Sequence, residues 1–144
     1  MDRAGEAPLE LPGEELADFL LFALDHATDC VVPRGGPLVP FVMLVQPGGR
    51  ALHRFAGEMA QAQEFARAWI RQQEAVRMAC VAWDGYLTLD GVRTDAVFVD
   101  GCDDSGDLGY LFVQRYGRVG RIRRTMATIG NPGLSGRSER LFDV

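Results

Sequence analysis

Val76-Arg77-Met78-Ala79-Cys80-Val81-Ala82-Trp83, followed by Asp84-Gly85-Tyr86-Leu87-Thr88-Leu89-Asp90-Gly91-Val92, is the stretch on which the fold turns. Here the apolar period of the chain becomes two. Val76, Met78, Cys80 and Ala82 alternate against Arg77, Ala79, Val81 and Trp83, as side chains on opposite faces of a strand do. Asp90-Gly91 supplies the two residues that tolerate positive φ in a type I′ turn, so Val92–Val99 is expected to return antiparallel beside the first strand. Gly101–Asp107 reads as a second polar turn and Tyr110–Tyr116 as a third strand. Three strands joined by short turns make an antiparallel meander.

Upstream, two amphipathic helices are predicted. The first starts near Glu14, with Gly13 at the cap and two Glu residues at the positive end of the dipole. Leu16, Phe19, Leu20, Ala23, Leu24 and Ala27 recur along it at helical spacing. The second places Met59, Ala62, Phe65, Ala66, Trp69 and Ile70 on one face. Between the helices, Phe41–Val45 is a wholly apolar run of strand length, Pro47-Gly48-Gly49 a turn, and Arg50–Ala56 a second strand. The fold class is therefore α+β: an antiparallel sheet of about five strands, ordered α-β-β-α-β-β-β, with both helices packed on it.

After Tyr116 the pattern dissolves. Arg118–Arg124 is a final edge strand or a tail, and Asn131-Pro132-Gly133 with Ser135-Gly136 points to irregular chain. The expected organisation is a flexible lead-in over residues 1–13, one domain over 14–117 and an Arg-rich extension over 118–144.

Composition places the chain among ordinary globular domains: 144 residues, 47% hydrophobic and 24% charged, long enough to bury a core without a staple. All 15 basic residues are Arg, which fits a codon bias against Lys better than a special need for guanidinium groups. Cys30, Cys80 and Cys102 form no CxxC pair, so neither a zinc site nor a disulfide framework is expected and a reducing compartment is. The acidic N-terminus does not resemble a signal peptide, and no apolar run is long enough to span a membrane. These features predict a soluble, cytoplasmic protein that holds no metal or other cofactor. The net charge of −5 is uneven: Asp2–Asp29 holds eight acids and one Arg, whereas Arg115–Arg140 holds seven Arg and one acid. Neutralisation within the molecule accounts for this most simply.

The order α-β-β-α-β-β-β resembles the core of profilin-like and roadblock-type domains over about residues 14–117, a resemblance of topology without a residue motif. It implies a binding or dimerisation platform and assigns no site residue. The strings Gly36-Pro37-Leu38-Val39-Pro40-Phe41, Asp84-Gly85-Tyr86-Leu87-Thr88-Leu89-Asp90-Gly91 and Arg93-Thr94-Asp95-Ala96 are similar to those of short bacterial proteins without an assigned role.

Candidate chemistry is sparse. His26 and Cys30 share a helix face, at the spacing of a thiolate–imidazole pair or half a zinc site, yet a second pair of ligands is missing. His53 on the second strand reads more simply as a structural histidine. The acidic turn Asp100–Asp107 fails as a calcium loop, because Leu108 stands where the central Gly belongs and Gln114 where the closing Glu belongs. No phosphate loop or nucleophile elbow is present. Arg93 and Asp95 point to one sheet face with Val97 and Val99, and Gln114 or Tyr116 is expected across the meander. His53, Arg93, Asp95, Gln114 and Arg115 are accordingly the candidate ligand-binding residues, with ordinary cross-strand pairing as the simpler account.

The leading expectation is a non-catalytic protein-interaction or self-associating domain, specifically a homodimer or a binder of another protein, pairing through its edge strands. The alternative is a small ligand-binding protein or enzyme using His53 or His26 with Arg93 and Asp95. Nucleic acid is not expected as a partner of so acidic a chain, despite the Arg121–Arg124 cluster. No membrane partner is expected.

Overall fold

Helix α1, Glu14–Val31, forms where the sequence places it: Glu14 and Glu15 sit in its first turn, and Leu16, Phe19, Leu20, Ala23, Leu24, Ala27 and Val31 make one buried stripe. Pro33 cannot continue the helix, and the chain leaves it at Val32 in an extended conformation. In this computed structural model, residues 10–106, 108–120 and 125–143 are described. Most of the expected lead-in, Asp107 of the acidic turn and the Arg121–Arg124 cluster lie outside the described residues.

Strands β1 (Phe41–Gln46) and β2 (Gly49–Arg54) form the first hairpin. Helix α2 (Met59–Arg71) follows, capped by the Glu58 carboxylate, which accepts from the N–H groups of Ala60 and Gln61 at 3.1 and 3.2 Å. Then come β3 (Met78–Leu89), β4 (Val92–Asp103), β5 (Gly109–Val119) and β6 (Thr125–Ser138). Asp90 and Gly91 carry φ of 51° and 79°, so the β3–β4 turn has the two positive angles a type I′ turn requires. The strands join one antiparallel sheet in the order β2-β1-β3-β4-β5-β6.

Among the described residues the sheet therefore has six strands, not about five. The sixth contains Asn131-Pro132-Gly133 and Ser135-Gly136, the residues that read as irregular chain. Two register shifts between β5 and β6 absorb the irregularity. As the outermost strand, β6 tolerates a proline, and its side chains are mostly exposed or half-buried, so no apolar alternation marks it. Strand β4 also runs on through Gly101 and Cys102 to Asp103, leaving a shorter turn than the expected Gly101–Asp107.

The two helices cover opposite faces. Under α1 lie Phe41, Met43, Met78, Cys80, Ala82, Val97, Val99, Phe112 and Tyr116. Under α2 lie Val42, Leu44, Ala79 and Val81, joined by Cys102, Leu141 and Phe142. A strand buried on both sides loses its alternation, which is why Phe41–Leu44 and Met78–Ala82 are continuously apolar. No helix among the described residues is long and apolar enough to cross a membrane.

Candidate functional site

Register decides which of the candidate residues meet. Strand β4 places Arg93 opposite Thr88 and Asp95 opposite Tyr86, with Tyr116 of β5 on the far side of Asp95. These side chains share the α1 face; Tyr116 belongs to the core under the helix, whereas Tyr86, Thr88, Arg93 and Asp95 are exposed. The Arg93 guanidinium lies 3.7 Å from the centre of the exposed Tyr86 ring. Beside them Tyr116, buried, donates its hydroxyl to Asp84 Oδ1 at 2.8 Å. Burial raises the Asp84 carboxyl above its ordinary value, the Tyr116 bond opposes the rise, and the Asp95 charge adds to it. Burial, followed by the Asp84 bond and the nearby carboxylates, pushes the Tyr116 phenol upward as well.

The other three candidates do not join this group. Gln114 is buried, and its amide donates to the carbonyls of Arg115, Ile129 and Gly130 at 2.9, 3.3 and 3.1 Å. It satisfies backbone left open by the β5–β6 irregularity. Arg115, the next residue along β5, points to the opposite face. His53 also lies on that face, stacked on Trp69 with centroids 4.8 Å apart and rings inclined by 16°. His26 packs edge-on against Phe41, 5.2 Å away. Phe41 pairs with Ala82, six residues and about 20 Å of strand from Thr88 and its neighbour Arg93. The structure thus brings Arg93 and Asp95 together and holds both histidines away from them.

Nor does His26 pair with Cys30 through its ring: the Cys30 thiol donates to the His26 carbonyl at 3.4 Å. Burial raises the Cys30 thiol despite the Arg54 charge, raises Cys102, and pushes Cys80 up to about 12. All three are shifted away from the reactive thiolate. Among the described residues, no three His, Cys, Asp or Glu side chains gather as a metal site would need.

The feature that sequence reasoning missed is on the second face, which is divided. Its lower half is closed. Arg67 of α2 pairs with buried Asp100 at 3.0 Å, Ser138 donates its hydroxyl to the other oxygen of that carboxylate, and Leu141 and Phe142 lie against Cys102. The upper half is open, because α2 packs on β1 and β3 and stops there. Trp83 and Phe98 stack across β3 and β4 with centroids 5.4 Å apart. Beyond them Leu87, Leu89, Val113 and Arg115 line an open groove of about 220 Å³ toward β6. Leu89, Val92 and Ile129, at this end of the face, are 50%, 63% and 40% exposed. One signal was available in advance: counting back from Asp90-Gly91 pairs Trp83 with Phe98.

A larger cavity of about 320 Å³ lies at the lower end, lined by Arg71, Gln73, Ala75, Val76, Asp104, Phe142 and Asp143. Neither cavity is lined by a histidine. No protein-family model, curated protein or solved structure matches the chain.

Proposed function

We infer that this chain is a non-catalytic, self-associating protein-interaction domain of the bacterial cytoplasm. The observation that carries this inference is the open upper half of the second sheet face, where Trp83, Leu87, Leu89, Phe98, Val113 and Ile129 present half-buried or exposed apolar surface without a helix over it. A sheet face of that kind is stable in water when another surface covers it. The element order that resembles profilin-like and roadblock-type platforms points the same way. An enzyme or ligand pocket built from His53 or His26 with Arg93 and Asp95 has less support, since His53 lies on the opposite face and His26 far along the strand.

Light scattering across a dilution series tests the proposal. The expected result is a concentration-dependent dimer at micromolar to tens of micromolar chain, weakened at least about tenfold by Leu89→Asp, which puts a charge on the open face. A strict monomer at high micromolar concentration overturns it.

A further inference from the structure

A sheet can grow only where a strand has an unpaired side, and among the described residues three stretches of more than about five residues have one. The outer side of β2 is short and carries exposed Arg50, His53 and Arg54, charged or polar side chains that oppose pairing. The outer side of β6 is long, but Pro132 removes an N–H and the register shifts bend the strand. The third lies inside the sheet order. Strand β1 pairs with β3 only from Met78 to Ala82; the preceding Pro40 makes its bond on the other side, its carbonyl accepting from Phe55 N–H of the β2 side at 2.8 Å. From Trp83 to Leu89, no strand among the described residues lies on that side of β3. This edge is rich in aromatic, β-branched and aliphatic residues and carries one charge, Asp84. It has neither proline nor bulge to guard it.

We propose that a second copy of this chain docks along Trp83–Leu89, the two β3 edges pairing antiparallel about a two-fold axis at Tyr86. This rests on the self-association proposed above and gives it a geometry. Centring on Tyr86 uses the whole open edge: Trp83 faces Leu89 of the copy, Asp84 faces Thr88, Gly85 faces Leu87, and the two Tyr86 rings face each other. Every pair suits its place. The Thr88 hydroxyl can donate to the Asp84 carboxylate. Leu87 comes over Gly85, a position where a side chain would crowd the Phe98 ring of its own chain, 3.2 Å from a Cβ. Aromatic and aliphatic partners meet at Trp83 and Leu89. Shifting the axis to Leu87 sets Asp84 against Asp90, and shifting it to Gly85 drives Leu89 onto Val81, whose outer side β1 already occupies. At Asp90 and Gly91 each hairpin turns away toward its own β4, so the paired strands end without collision. The axis stands perpendicular to the sheet, so the two open apolar faces meet side by side on the same side of a continuous sheet, each covering its Trp83–Leu89 margin against the other's and leaving the remainder open.

Disulfide trapping reads this register directly. Facing residues of an antiparallel pair have Cα atoms about 4.5–5.5 Å apart, inside the range of about 4.4–6.8 Å that a disulfide spans. The variant Tyr86→Cys is expected to form a covalent dimer on mild oxidation at least about tenfold faster than Thr88→Cys, whose copies stand about 13 Å apart along the strands. As a second measurement, Thr88→Asp places carboxylates opposite Asp84 twice in each dimer and is expected to weaken association by up to about tenfold in light scattering. Equal trapping rates for the two cysteine variants, with a native dimer still present, overturn the β3 edge and leave self-association standing. An unchanged dimer constant for Thr88→Asp likewise overturns the edge. A monomeric native chain overturns both proposals.

Discussion

The lower and upper halves of the β3–β4 hairpin are built from the same two 12-residue strands, yet they are held by different means. At the lower end, Met78–Ala82 and Val99–Cys102 lie between α1 on one face and α2 with Leu141 and Phe142 on the other. At the upper end, beyond Trp83, α2 no longer covers the sheet, and the α1 core reaches Val97 and Tyr116 but leaves Tyr86, Arg93 and Asp95 exposed. One face carries Asp84, Tyr86, Arg93 and Asp95, and the other carries Leu87, Leu89, Val92 and Phe98. Strand length alone accounts for this: β1, with 6 residues, spans half of β3, and α2 can cover no more sheet than its 13 residues reach. Stability is therefore concentrated below and surface chemistry above. Substitutions at the two ends should separate accordingly.

The largest effect is expected at Gly101, in the closed half. A methyl group there would stand 2.8 Å from both the Ala79 carbonyl oxygen and the Cys80 Cβ, and would run into Leu20 of α1. Leu20 can give way, but the paired strand cannot. Gly101→Ala should therefore cost about 3 kcal/mol or more, a large share of the stability of such a domain, measured by urea denaturation. A loss under about 1 kcal/mol would mean that the lower end is not close-packed.

A matched pair of leucine truncations sharpens the contrast. Leu141 is 2% exposed against the lower half, and Leu89 is 50% exposed on the upper. Leu141→Ala should cost about 2–3 kcal/mol, since it opens a cavity beside Cys102. Leu89→Ala should stay within about 0.5 kcal/mol in dilute protein, where the chain is monomeric. Similar losses at the two positions would break the division between a closed half and an open one.

How much of this was legible in the sequence follows from burial. The α1 stripe and the Asp90-Gly91 turn could be read because one face buried and one face wet leaves a period in the side chains. Strand β6 could not, because an outer strand has little reason to alternate and Pro132 reads as a break. The placement of the helices on opposite faces left a trace in the unbroken apolar run Phe41–Leu44, which a strand covered on one side does not need. The grouping of candidate residues was legible only within one hairpin. Arg93 and Asp95 follow from two-residue alternation. The separation of His53 from them depends on which face α2 takes, and Gln114 spends its amide on carbonyls of a bulge that no local pattern announces. The Asp84–Tyr116 bond required the β4–β5 register, which runs through a turn of uncertain length in sequence.

That bond provides a smaller effect than either loss in the closed half, and one whose sign depends on the upper end alone. Burial raises the folded-state pKa of Asp84 above its ordinary 3.8, so the folded chain holds this proton more tightly than the unfolded chain does. Stability consequently falls as pH rises from about 3.8 through the raised folded value, and the deficit persists at neutral pH. Asp84→Asn removes the charge while keeping an oxygen to accept the Tyr116 hydroxyl. The variant should be more stable than the native chain at pH 7, by less than about 1 kcal/mol because water screens a half-exposed carboxylate. Near pH 3, where the native carboxyl is protonated in both states, the gain should vanish. Urea denaturation at the two pH values measures the difference. A variant less stable than the native chain at pH 7 would show that the carboxylate, and not burial, dominates there. Asp84 would then belong with Asp100, whose charge is matched by Arg67 in the closed half, and the upper end would be held by ion pairing after all.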